Sequence, residues 1–124
     1  MSHFTRIKTN LVEKKYILAA LDDMEISYKI GEKIKGFGEQ STQVDIQINF
    51  SLFKQIGLKL NSGKYEIVAD WYGVSTHKRN QFIQNLSQRY AYHATKEKME
   101  EQGFELIEET NHDGEIRLLL RRMS

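Results

Sequence analysis

Between residues 44 and 71 the chain alternates apolar and polar side chains in three successive runs. Val44, Ile46, Ile48 and Phe50 are separated by Asp45, Gln47 and Asn49; Ile56, Leu58 and Leu60 repeat the pattern, and Tyr65, Ile67, Ala69 and Trp71 continue it. Successive side chains of a strand point to opposite faces, so this alternation requires a sheet with one dry and one wet face. Asn61-Ser62-Gly63, between the second and third runs, supplies turn chemistry. The three runs predict an antiparallel meander, and its dry face needs a second layer.

Two amphipathic segments can supply that layer. Phe82, Ile83, Leu86 and Tyr90 share one face of a helix expected from Thr76 to Gln102, with Ser75 or Thr76 as N-cap and Gly103 as its left-handed stop. Ile17, Ala20, Leu21 and Met24 form the apolar stripe of an earlier helix. Asn10 and Glu13 resemble a capping box before it, and Lys15, Asp22 and Asp23 fall on the side expected to be exposed. Further strands are expected near residues 3–9, 27–30, 104–109 and 115–121, the last two joined by a turn at Asn111-His112-Asp113-Gly114. Residues 31–42 read as a polar, irregular loop. The elements predict an α+β two-layer sandwich in the order β-α-β-β-β-β-α-β-β, mainly antiparallel, with both helices on one face. The other face, carrying Asp45, Gln47, Asn49, Lys59, Glu66, Asp70, Arg117 and Arg121, is expected to be open to water or to a partner.

The 124 residues suit a single domain, 1–124, and the absence of proline, repeats and low-complexity tracts leaves no linker. There is no cysteine, which removes thiol nucleophiles, thiolate metal sites and disulfides together. No apolar run approaches the roughly 18 residues of a membrane helix. The N-terminal residues lack the apolar core of a signal peptide, so the protein is expected to work where it is made. Eighteen basic against 17 acidic side chains give a net charge of +1, little long-range attraction for phosphate polymers.

Few residues point to chemistry. His93 and Glu97, four apart on the second helix, form a candidate polar pair; a metal would need a third ligand, and acid-base work would need a pocket and a shifted pKa. His3, His77 and His112 have no ligand spacing. Lys35-Gly36-Phe37-Gly38 matches the first half of an RNA-recognition octamer, but Glu39, Gln40 and Ser41 then break the pattern, and a turn between strands explains the glycines as well. Phe37, Trp71, Tyr72 and Tyr92 are candidate interaction residues. Tyr92 lies with Gln88 and Lys96 on the polar side of its helix, and exposed aromatics often anchor protein contacts. No phosphate loop, dinucleotide fingerprint, nucleophile elbow or zinc-protease motif occurs, and no cofactor is expected.

The opening Met1-Ser2-His3-Phe4-Thr5-Arg6-Ile7-Lys8-Thr9, the strand end Val68-Ala69-Asp70 and the helix segment Gln88-Arg89-Tyr90-Ala91-Tyr92 resemble the hypothetical chloroplast reading frame thirty-five family of cyanobacteria and algal plastids. The resemblance extends over nearly the whole chain and brings no catalytic or binding residues with it. It implies a setting: the plastid stroma, or the cytoplasm of a cyanobacterial host. Together these readings favour a non-enzymatic accessory module that binds another protein. An RNA-associated plastid protein is the alternative, and a small enzyme or metabolite binder using His93 and Glu97 is the second. A second copy of the chain is one candidate cover for the open sheet face. Weak retention on heparin or RNA columns is the expected behaviour; tight, salt-sensitive retention would overturn the disfavour shown to nucleic acid.

Overall fold

The computed structural model describes residues 4–36, 40–52, 54–113 and 115–123. In chain order the elements are β1 (Thr5–Lys8), α1 (Lys14–Asp23), β2 (Tyr28–Ile30), β3 (Lys33–Lys35), β4 (Ser41–Gln43), β5 (Ile46–Ser51), β6 (Lys54–Asn61), β7 (Lys64–Ala69), α2 (Thr76–Glu101), β8 (Phe104–His112) and β9 (Glu115–Arg122). The α+β class and the order of strands and helices are as the patterning predicts, with two short strands, β3 and β4, added inside the segment read as a loop. The meander β5-β6-β7 forms the middle of a five-stranded antiparallel sheet ordered β1-β7-β6-β5-β2. At its tighter turn Ser62 and Gly63 both take positive φ, 54° and 84°, the geometry that matches the right-handed twist of paired strands.

The dry face of that sheet carries Ile46, Ile48, Ile56, Leu58 and Ile67. It closes against Ile17, Ala20 and Leu21 of α1 and Phe82 and Leu86 of α2. Phe50 meets Phe82 and Trp71 edge-on at 5.5 and 6.0 Å, lining one end of the core with aromatic rings. Ser75 caps α2 through its side chain, accepting from the Lys78 amide at 3.1 Å, and Gly103 turns the chain out with φ of 89°. The start of α1 is built differently from the expected capping box. Glu13 occupies the cap position without a side-chain bond, and Asn10 instead accepts from Lys64 Nζ. The Tyr90 hydroxyl of α2 takes the backbone amides of Val12 and Glu13 at 3.1 and 2.9 Å, so a distant tyrosine pins this entry into the helix.

The second face of the sheet is less open than the alternation implies. Strands β3 and β4 pair into a small hairpin that lies across it, where Ile34, Val44 and Val68 form a second apolar cluster packed against Phe4. Gln47, Glu66 and Asp70 are buried there; Gln47 donates to the Lys33 carbonyl at 2.8 Å, and Glu66 accepts from Asn61. Asp45 and Asn49 remain exposed. Val44 lies on this face because the chain turns between β4 and β5, which breaks the parity with Ile46 that the sequence pattern assumes. Arg117 and Arg121 belong to neither face: β8 and β9 form a separate two-stranded ribbon, in which Arg121 pairs with Glu105 and Arg117 with Glu115. β8 runs on to His112, past the expected end near residue 109, whereas β9 starts at Glu115 as expected, and Asp113 with φ of 51° lies in their turn.

Gly57 shows how closely Val44, the residue that follows the hairpin, sits on the sheet. A Cβ at this position would stand 2.4 Å from Val44 Cγ1. Gly57→Ala is therefore expected to lower unfolding free energy by about 1 to 3 kcal/mol in urea titrations, through overpacking; an unchanged midpoint would show that Val44 yields freely.

Candidate functional site

Helical spacing brings the ionisable residues of α2 into register with those of α1. Arg89, His93 and Glu97 are spaced by four and share one face, as do Lys15, Ala19 and Asp23 on α1. The helices run antiparallel, so Lys15 meets Glu97 at one end and Asp23 meets Arg89 at the other. Between them the small Ala19 leaves room for the His93 ring, whose Nε2 stands 2.6 Å from Asp23 Oδ2. Arg89 donates through Nε to the same oxygen at 2.9 Å and through Nη1 to Glu109 of β8 at 2.6 Å, tying α1, α2 and the ribbon together. His93 and Glu97 thus contact different residues of α1, Asp23 and Lys15, while lining one depression together. Each bridges separately to α1, and among the described residues no group of three His, Asp or Glu side chains is arranged to hold a metal.

The electrostatics follow from these contacts. Partial burial pushes the Asp23 carboxyl upward, but hydrogen bonds from Arg89 and His93 outweigh it and hold the group below the ordinary carboxylate range. Glu97, at the more exposed end, is lowered by Tyr16 first and Lys15 second. Charges paired in this way link the two helices. Beside the seam a shallow depression of about 300 Å³ is lined by Tyr16, His93 and Glu97. A larger one of about 630 Å³ opens at the other end of α1, with Met24, Phe50 and Phe82 among its apolar walls and Asn85, Arg89 and Asn111 among its polar ones.

The candidate interaction residues are distributed rather than gathered. Phe37 and Gly38 lie outside the described residues, as does His3. Trp71 is half-buried against Phe50, and its indole Nε1 is buried with no hydrogen-bond partner among the described residues. Tyr72 is 64% exposed, its amide bonded to Asp70 Oδ1. Tyr92 is a correction: it is buried, because the ribbon folds back along α2 over the face that Gln88 and Lys96 mark as polar. The Arg89 guanidinium lies 4.2 Å from its ring centroid. The RNA-motif glycine also has a structural task. A Cβ on Gly36 would lie 2.9 Å from the Phe4 ring and 3.3 Å from Asp70 Oδ2, so the position serves close packing. The signal that sequence reasoning missed is the second stripe on α2. Asp23 and Lys15 are exposed, as their side of α1 predicts, and pair with α2 from that edge.

These features define a class, a two-layer α+β domain with an ion-paired helix seam and an appended two-stranded ribbon. The family described as protein of unknown function (DUF1257) matches residues 20–119, and the chain belongs to that family. It is 34% identical over 125 residues to the uncharacterized protein ycf35 of Cyanophora paradoxa and 32% identical over 127 residues to that of Pyropia yezoensis, in each case across 98% of both chains. The ycf35 protein of Guillardia theta is 33% identical over 125 residues, again across 98% of both. The expected resemblance to the chloroplast reading frame family is thereby shown. No solved structure matches the chain.

Asp23→Asn tests the seam. Because the folded carboxyl titrates below its unfolded value, its contribution is complete above about pH 4 and is lost as pH falls through the folded value. The variant is expected to lose about 1 to 2 kcal/mol at pH 7, with the gap in melting temperature to the native chain narrowing by pH 3. A gap that stays constant across this range would show that Asp23 acts by packing alone.

Proposed function

We propose that this protein is a non-enzymatic accessory module that binds another protein, working in the plastid stroma or in the cytoplasm of a cyanobacterial host. The observation that carries this reading is the ribbon β8-β9. Among the described residues each of its strands has an unpaired edge, and it exposes Ile107 and Leu119, at 46% and 55%. The ionisable cluster points the same way, since His93, Asp23, Arg89 and Glu109 are occupied with one another. Nucleic-acid binding draws less support: Gly36 packs against Phe4, and Tyr92 is covered. The depression beside Phe50 and Phe82 favours a small-molecule binder as the second reading, since apolar walls with a few convergent polar groups are what such ligands use.

Tagging the protein in its native host, with Leu119→Lys and Tyr72→Ala variants in parallel and nuclease treatment of each sample, separates these readings. A stoichiometric partner that resists nuclease and is lost in Leu119→Lys is the expected result. Partners released by nuclease would overturn it in favour of RNA, and a solitary protein whose melting temperature rises with a metabolite would move the function to the depression.

A further inference from the structure

Strand β9 is eight residues long, contains no proline, and among the described residues pairs on one side only. The register shift of the ribbon falls between Leu106 and Glu108 on β8, so β9 itself runs without a bulge. Its middle is Leu118-Leu119-Leu120. A long, regular, leucine-rich edge of this kind pairs with another strand unless something blocks it; β9 has no proline, no bulge and no lysine, and its charged residues Glu115, Arg117, Arg121 and Arg122 flank Leu118-Leu119-Leu120, so they decide which strand can pair there.

The sequence of β9 states which strand fits. Two copies related by a two-fold axis perpendicular to the sheet pair antiparallel, with one residue opposite its own copy. Centring on Arg117 sets two arginines against each other, and centring on Leu119 sets Arg117 against Arg121. Centring on Leu118 removes both clashes. Ile116 then faces Leu120 of the second copy, and Glu115 faces Arg121 at each end of the pairing. Arg117 stands opposite Leu119, and Glu115 and Arg121, which pair with Arg117 and Glu105 within the ribbon, also meet opposite charge across the two-fold axis.

The surface beside β9 has room for the added strand. A depression of about 450 Å³ lies between Ile116 and Leu118 of β9 and Ala91 and Thr95 of α2. A second of about 530 Å³ shares Ala91 and Thr95 and continues to Lys8 and Thr9 beside edge strand β1. A strand added at the usual spacing of about 4.8 Å would lie over these small side chains, with its Ile116, Leu118 and Leu120 entering the groove. On these grounds we infer that β9 is a homodimerisation edge: two copies pair β9 to β9 about Leu118, making a four-stranded sheet backed by the two α2 helices. The inference rests on the protein-binding reading and names a second copy of this chain as a partner.

The cysteine-free chain allows a direct test. Leu118→Cys and Leu119→Cys are oxidised separately and run on non-reducing gels, with light-scattering mass of the native chain measured at tens of micromolar. The expected results are a native dimer, rapid crosslinking through position 118 and at least tenfold slower crosslinking through 119. Arg121→Glu is expected to give a monomer, and Glu115→Arg combined with Arg121→Glu to restore the dimer; circular dichroism of both confirms folding. A native monomer, or a dimer that crosslinks through 119 and not 118, overturns the inference. A monomer that still retains a nuclease-resistant partner lost in Leu119→Lys overturns self-association while leaving the protein-binding reading intact.

Discussion

Helix α2 has to satisfy three neighbours at once, and the rest of the structure is arranged around that demand. Phe82 and Leu86 face the five-stranded sheet, Arg89, His93 and Glu97 face α1, and Tyr92 faces the ribbon. With 26 residues it is the longest element. A helix that is polar over much of its surface is held less by propensity than by such contacts, because each burial adds tertiary stabilisation that an isolated helix lacks. Tyr90 extends the same logic to the chain entering α1, its ring edge-on to Tyr16 at 5.5 Å and its hydroxyl on two backbone amides.

The ion pairs of the seam do a job different from that of the apolar core. Burial of aliphatic side chains is non-directional and would tolerate sliding of one helix along the other. Lys15 to Glu97 and Asp23 to Arg89 fix the axial position, since a shift of one turn would separate every pair. Arg89 adds Glu109, which sets where the ribbon lies along α2. Specificity of arrangement, rather than bulk stability, is the contribution such half-exposed pairs are suited to make.

How much of this was legible depended on whether a residue's role was local. Period-two alternation identified β5, β6 and β7, and the stripe Phe82, Leu86, Tyr90 identified the sheet-facing side of α2, because each pattern is written within one element. Ser75 was readable as a cap for the same reason. The hairpin β3-β4 was not, since three-residue strands carry too little alternation to separate from a loop. Tyr92 was misplaced because a helix with three contacting faces looks polar wherever its partners are polar; only the fold reveals that the ribbon returns along α2. Asn10 and Glu13 matched a local cap, but Tyr90 from 77 positions away supplies the bond instead.

Sequence distance across the seam also has a kinetic meaning. Lys15 and Glu97 lie 82 positions apart, Asp23 and Arg89 66, and β1 finds its partner in β7 only after Thr5 meets Ala69. Long-range closure of this kind slows folding, because chain entropy is lost before the contacts that compensate for it can form. On the ribosome, the N-terminal strand and helix leave the exit tunnel first, yet β1 must wait for β7 and the charged side of α1 must wait for α2 before either closes. The meander, complete within residues 46–69, is the part able to collapse in the meantime.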